Sequence, residues 1–430
     1  QGRITMHPKS SLSHAVYLAI ACGSTILVNS SAQASGFAIP EMNITGLGAS
    51  NALVANPDSL GAISYNPAAM SFHEGGHINL GTLLIQPDLA VDTGSGTTDS
   101  EANDLEVAPA ISAHDQVNED WALGIAINAP FGLETKWNTE VYSNQYPIGS
   151  FMPTTTKLEI AAFSPSAAYK VNDQASLAFG VDYYWMKKVE FSSAMNDGSN
   201  YPGFNLKGDG RSVGLNLGGM LVLDKWSFGA SYHSVSKIKA KGTLDDEVGA
   251  LPSNLSDRVT ATLELPWRFQ IGARYQAMEK LGVEFDFTRT GWRTFDELVV
   301  KNEEYGSTIF TSKNYFENAN AYRLGVTYDF TPATQLRIGY TYDETPQTDE
   351  YFSPRIPDAD RQLFSLGIGH SFADGWSVDV GYMYTQFDDR TIDSDKQAVA
   401  GEELNGTTAV NGSYESSVQL FGLGITKTFM

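Results

Sequence analysis

The chain has 430 residues, a formal net charge of -22, 42% hydrophobic and 11% aromatic content, 40 glycines and a single cysteine. So acidic a protein repels phosphate backbones, which excludes nucleic acid as a partner and also a basic membrane-surface role. After Val28 no run reaches the roughly 18 apolar residues of a spanning helix, so membrane residence would require a closed sheet.

Residues 1–34 read as a secretory signal peptide, with residues 1–5 standing upstream of Met6. His7 and Lys9 make a weakly basic start, Ala15 to Val28 an apolar stretch, and Ala32-Gln33-Ala34 the small residues before a cut at Ser35. Cys22 lies inside that stretch, so the expected mature chain has no cysteine. A secreted protein of this size without disulfides is held by its core or by a closed sheet.

Residues 35–76 are rich in Gly, Ala, Asn and Ser and show no long alternation. Phe37, Ile39, Met42, Ile44, Leu47, Leu53, Val54, Leu60 and Ile63 are nevertheless too many apolar residues for a solvated tail. A small folded plug, or hatch, inside a barrel accounts for them.

From 77 to 430 nearly every structured segment alternates with period 2. Leu281, Val283, Phe285 and Phe287 share one face against Gly282, Glu284 and Asp286; Leu336, Ile338, Tyr340 and Tyr342 do the same against Arg337, Gly339 and Thr341. Alternation alone is equally consistent with a soluble sandwich. Aromatic residues at segment ends, and an opposite face mixing acids, arginines and glycines, favour an all-β transmembrane antiparallel barrel in an outer membrane. Counting segments gives about 14 strands. Short turns at Val171–Gln174, Leu223–Lys225, Thr331–Ala333 and Ala373–Gly375 mark a periplasmic rim. Long polar stretches near 132–157, 192–210, 241–256, 296–317, 343–360 and 388–413 mark an external one.

One strand breaks its own pattern. Trp121, Leu123, Ile125 and Ile127 alternate with small residues, and then Asn128-Ala129-Pro130-Phe131-Gly132 interrupts the wall. This is either an ordinary strand end or a deliberate gap. The stretch beyond it carries Phe131, Leu133, Trp137, Tyr142, Tyr146, Phe151 and Met152, which would form a sticky external capture surface or pack loop against loop. Lys188 takes the inward phase of its strand with Asp182 and Glu190, as a ligand-binding cation or a structural ion pair; Arg323 is a second inward cation.

Several stretches resemble the FadL family of outer-membrane transporters of hydrophobic compounds. They are Ser35-Gly36-Phe37, Gly46-Leu47-Gly48, Asn66-Pro67-Ala68-Ala69-Met70, Pro130 to Thr135, and the run Ser353 to Phe372 containing Ile356-Pro357-Asp358 and Asp360-Arg361. One departure is the end, where Phe429 is penultimate and Met430 last. The resemblance implies a 14-stranded barrel with an N-terminal hatch, in which Asn66 and Pro67 belong. It implies uptake of long-chain fatty acids or, in some relatives, aromatic hydrocarbons. Cargo would be caught by external loops, reach a pocket near the hatch N-terminus beside Phe37, and leave sideways where the third strand kinks, at Asn128, Pro130 and Gly132. Lys313 resembles a family position for carboxylate contact.

Rival chemistries find little support in the sequence. His73 and His77 are four apart, but the glycines between them resist a helix; His233-Ser234 and His370-Ser371 point to opposite faces of their strands. Asp388, Asp389, Asp393 and Asp395 lack the spacing of a calcium loop. The sequence thus indicates no enzyme, cofactor or metal, and a monomer in contact with outer-membrane lipid and lipopolysaccharide. The expected function is passive uptake of hydrophobic molecules; a general diffusion porin is the alternative from another class.

Overall fold

The computed structural model describes residues 36–249, 256–393, 396–399, 402–405 and 409–429. The signal-peptide reading with Cys22, together with Ser35, Asp395 and Met430, lies outside them.

Fourteen antiparallel strands follow one another around a closed wall. They are β1 (Gly76–Asp92), β2 (Glu106–Gln116), β3 (Trp121–Lys136), β4 (Phe151–Asn172), β5 (Ala175–Met195) and β6 (Gly203–Leu223). Strand β7 comes in two pieces (Trp226–His233, Ser236–Asp246), as does β8 (Arg258–Leu265, Arg268–Met278). Then come β9 (Leu281–Thr290), β10 (Ala319–Thr331), β11 (Thr334–Asp343), β12 (Arg361–Ser371), β13 (Trp376–Phe387) and β14 (Gly412–Phe429). Strand β14 pairs with β13 on one side and with β1 along its whole length on the other, which closes the ring.

The exposure pattern decides between sandwich and barrel. Leu177 and Phe179 are 59% and 56% exposed, whereas Asp182 and Asp286 are 1% and 0% exposed. Apolar residues face out and charged ones face in, the inverse of a soluble sheet and the arrangement a lipid solvent requires. No helix among the described residues is long and apolar enough to cross a membrane. Tight turns gather at one rim and long connections at the other, as the alternation implied.

Residues 36–75 lie against the inward face of this wall. They form one short helix, α1 (Ile44–Gly48), capped by the Asn43 side chain on the Thr45 amide, and two 3-10 turns at Leu60–Ser64 and Pro67–Phe72. Asn66 caps the second turn through the Ala68 amide, and Pro67 opens it where its missing N–H costs nothing. Because the lumen is polar, the segment is tied to the wall by hydrogen bonds. Asp286 and Glu284 accept from the amides of Val54 (3.1 Å) and Ala55 (2.7 Å), and Ser227 donates to the Ala55 carbonyl at 2.6 Å. Asn66 donates to the Gly219 carbonyl and Ser176 to that of Ala68. The approach is close: a Cβ built on Gly229 would sit 1.8 Å from the Val54 carbonyl oxygen.

Candidate functional site

The wall is interrupted between β2 and β3. The two strands pair from Gln116 opposite Ala122 as far as Ala110 opposite Asn128, and there pairing stops. Strand β2 continues alongside β1 to Glu106, and β3 runs on to Lys136 alongside β4, with a register shift between Asn128 and Phe131. The strand therefore does not end at the Asn128–Gly132 interruption; what is lost there is its neighbour. Each strand carries a proline just past the last pair, Pro109 on β2 and Pro130 on β3, so neither can donate an N–H at that point. Farther up, the gap is closed by the β1–β2 connection: Glu101 N–H and Ser100 Oγ both donate to the Lys136 carbonyl, and Lys136 ion-pairs with Glu101.

The first described residues cover the freed edge of β3. The Ile39 amide donates to the Pro130 carbonyl at 2.8 Å and the Gly132 amide to the Phe37 carbonyl at 3.0 Å, with Ala38 bridged to Phe131. The Pro130 carbonyl and the Gly132 amide, which β2 leaves unpaired, are thus satisfied by protein from within. Phe37 is buried in an aromatic nest, its ring 4.7 Å from Trp292, 5.2 Å from Phe295 and 5.9 Å from Phe131. Trp292 and Phe295 reach the interior because the chain turns inward at Gly291 after β9, while β8 pairs above that level with the separate strand Glu297–Asn302.

An interior cavity of about 50 Å³ runs between this cover and the wall. Ala38, Met42, Asn128, Pro130, Phe131 and Arg268 are among its lining residues. Asp182 also faces it, but its carboxylate is fully engaged, accepting from Ser164 (2.7 Å), Asn216 (2.7 Å) and His233 (2.7 Å). Arg268 is the first residue after the Pro266–Trp267 break in β8. Its Nη2 contacts the Met42 sulfur at 3.6 Å and its Nε has no hydrogen-bond partner. At the tight-turn rim lies a much larger vestibule of about 710 Å³, with Lys225, Arg274, Glu279, Asp329, Arg337 and Asp379 in its walls. That space is polar.

The residues singled out from sequence distribute unevenly. Phe37, Asn128, Pro130 and Gly132 come together at the wall break. Phe131 and Leu133 join them inside, buried with Phe37, rather than standing on an external surface. Trp137, Tyr142, Tyr146 and Met152 are buried against Phe352 and Tyr414, so this stretch packs loop against loop. Phe151 opens β4 and packs its ring at a tilt against Phe204 instead. Lys188 departs from the inward phase expected of it. One bulge in β5 between Met186 and Val189, present in the register with both neighbouring strands, shifts the alternation. Val189 and Phe191 now continue the inner face, while Lys188 is turned out and paired with Glu190 at 3.0 Å. Lys313 ends the outer strand Thr308–Lys313, opposite Glu297. Arg323 is inward and buried, donating from Nη1 to Thr288 at 2.6 Å. Asn66 sits against β6, and Pro67 lines the same cavity as Asn128, Pro130 and Phe131.

Sequence reading missed Arg268 and Pro109. Both had a signal: a proline inside an alternating run, at Pro109 in β2 and at Pro266 just before Arg268. The histidines also meet unexpectedly, His73 Nδ1 lying 3.0 Å from His114 Nε2 with His77 stacked on His114. Burial, with the nearby His77, holds His73 down at about 4, so the contact is one between neutral rings. No grouping among the described residues is suited to a metal ion.

Fold and wall together define the class: a closed fourteen-stranded outer-membrane β-barrel whose ladder is interrupted beside an interior cavity. The chain belongs to the outer membrane protein transport protein family (OMPP1/FadL/TodX), whose model matches residues 25–429. It is 26% identical to the long-chain fatty acid transport protein of Salmonella typhi over 88% of this chain and 92% of that protein. It is 26% identical to a 47 kDa outer membrane protein of Pasteurella multocida over 94% of this chain and 96% of that one. Among solved structures, a Pseudomonas aeruginosa FadL homologue shares the fold with a TM-score of 0.77 at 23% identity, over 92% of this chain and all of that one. The Pseudomonas putida toluene transporter TodX does so at 0.68 and 16% identity, over 92% of this chain and 100% of its own.

Proposed function

We propose that this protein takes up long-chain fatty acids or similar hydrophobic molecules passively across the outer membrane. Residues 36–75 act as its plug, and cargo leaves sideways between β2 and β3. The observation that carries this reading is the unpaired stretch between those strands, covered from inside by Phe37–Ile39 rather than by neighbouring wall.

The physical case is one of solvent. At about 0.8 kcal/mol per methylene, a tail of about fourteen methylenes resists water by roughly 11 kcal/mol. The straight route out runs through the polar vestibule, and the sideways route opens into hydrocarbon. A break in a barrel wall is tolerated only where other protein satisfies its backbone groups, and the Phe37–Ile39 bonds do that. Displacing this short segment would uncover the opening. An interior occupied by residues 36–75 weighs against a general diffusion porin. The nest of Phe37, Phe131, Trp292 and Phe295 favours, as a second reading, an aromatic hydrocarbon as cargo. The external loops would meet lipopolysaccharide, and the closed wall leaves a monomer sufficient.

The test restores the missing donors. Pro109→Val with Pro130→Val gives both strands their N–H and lets the ladder close. Uptake of radiolabelled oleate, in cells whose own long-chain transporter is deleted, should then fall to background while surface binding persists. Uptake at the wild-type rate would show that cargo does not pass between these strands.

A further inference from the structure

We propose that the outer face of β5–β8 is a docking site for the phosphorylated head of the outer leaflet's glycolipid, with Arg211 and Lys239 as the phosphate anchors. The site lies outside the lumen and is independent of which cargo the barrel carries.

The net charge of -22 averages over a surface whose cations are unevenly placed. Outward positions on β6 carry Leu223, Leu221, Leu217, Leu215 and Val213, all exposed, and then Arg211. With a rise of about 3.3 Å per residue and a tilt of about 40°, Leu223 to Val213 climbs about 25 Å, the height of an outer-membrane hydrocarbon band. Leu223 belongs to the tight-turn rim, so Arg211 stands at the opposite, external edge of that band. One rung of the ladder there runs through Trp185, Arg211, Lys239 and Thr262, across β5, β6, β7 and β8. Arg211 and Lys239 are therefore direct cross-strand neighbours, both exposed on the outward face. Like charges so placed destabilise a sheet.

The surrounding lysines already hold acids. Lys237 pairs with Glu264 and Lys241 with Glu303, both at 2.6 Å, while Glu190 serves Lys188 at 3.0 Å and Lys207 at 3.6 Å. Asp209, the next outward residue of β6, lies opposite Lys241. Arg211 and Lys239 themselves make no ion pair among the described residues. The far side of the ring differs: near the same rim β11–β14 present the neutral Tyr342, Gln362, Gln386 and Gln419 outward. A phosphate would remove the repulsion between Arg211 and Lys239, since a guanidinium fork and an ammonium both donate charge-assisted bonds to its oxygens. The acyl chains of the same molecule would then lie over Val213 and Leu215, with Trp185 at the level of the head groups. A ligand that is multiply phosphorylated at one end and apolar at the other, presented from the external leaflet, matches this order of charge and grease.

Native mass spectrometry of the purified full-length barrel in mild detergent tests this with three probes: bisphosphorylated lipid A, its dephosphorylated form, and phosphatidylglycerol. Heat-modifiable gel migration confirms folded barrels. Wild type should bind the bisphosphorylated lipid about tenfold or more tightly than either of the others. Arg211→Gln combined with Lys239→Gln should lose that preference, whereas Lys136→Gln, an external cation on another part of the wall, should keep it. Lys239→Glu puts an acid opposite Arg211. It should abolish the preference with no loss of heat resistance, which separates lost anchoring from a damaged sheet and serves if the double variant does not fold. A wild type indifferent to the phosphates, or a preference retained in the Arg211 and Lys239 variants, would overturn the site. Phosphatidylglycerol bound as tightly as the bisphosphorylated lipid would overturn the assignment to the glycolipid.

Discussion

The backbone amide of Gly36 donates to Asp358 Oδ2 at 2.8 Å, joining positions 322 residues apart in the chain. The same oxygen accepts from Thr345 Oγ1 at 2.7 Å, and Gly36 itself has a φ of +68° that suits glycine. Phe37, the next residue, is thereby set over the break in the wall. The Ile356-Pro357-Asp358 stretch and the beginning of the described chain are two halves of one latch.

That latch should respond to pH. Burial outweighs the nearby Arg361 and pushes the Asp358 carboxyl up to about 6, above its ordinary range. A folded-state value raised above the unfolded one means that the charged form costs stability at neutral pH, and that this cost fades as pH falls through 6. Wild type should therefore gain about 1 kcal/mol between pH 7 and pH 5 relative to Asp358→Asn, which cannot titrate. Denaturation of the two proteins at both pH values checks this; parallel curves would mean that Asp358 does not titrate in this range.

Phe37 should matter more to the cover than to the barrel. Phe37→Ala removes a ring packed on three others, and a buried Phe→Ala change costs about 3–5 kcal/mol locally. With the fourteen-strand ladder untouched, the folded barrel should persist on gels, while Trp292, now fully buried, becomes accessible. Acrylamide quenching of Phe37→Ala should exceed that of wild type, and the excess should vanish when Trp292→Phe is added.

Two glycines separate close packing from mere flexibility. A Cβ at Gly229 would overlap the Val54 carbonyl, whereas one at Gly219 meets only Leu177 Cδ2 at 3.7 Å. Gly229→Ala should expel or misplace residues 50–56 and make that segment sensitive to protease; Gly219→Ala should not. Protease resistance in both would show that the interior segment does not sit as tightly as this contact requires.

Lys188 tests the expectation of an inward cation that meets cargo. It is turned out of the lumen and paired with Glu190, so Lys188→Met should change dodecanoate affinity less than twofold. Calorimetry of dodecanoate with the purified barrel checks this; a tenfold loss would return Lys188 to a ligand-binding role.

What the sequence by itself determined is what depends on short-range pattern. Alternation in runs such as Leu281–Phe287 specified strands, because successive side chains in a strand point to opposite faces. Aromatic segment ends and the mixed composition of the opposite face favoured a membrane wall, and the exposure pattern of the structure then decided against a soluble sandwich. Pro130 announced the interruption in β3 because a missing N–H is a property of the residue alone, and Asn66-Pro67 announced a turn for the same reason. The positions that only tertiary structure decided depend on register and closure. Lys188 was misplaced because a bulge at Lys187–Lys188 shifts its phase, and a one-residue slip sends every following side chain to the other face. Phe131 and Leu133 went inside because β3 loses β2 as a neighbour and gains Phe37–Ile39. Arg268 and Pro130 line one cavity, and Asp358 meets Gly36, only because fourteen strands close into a ring; distance along the chain carries no trace of such meetings.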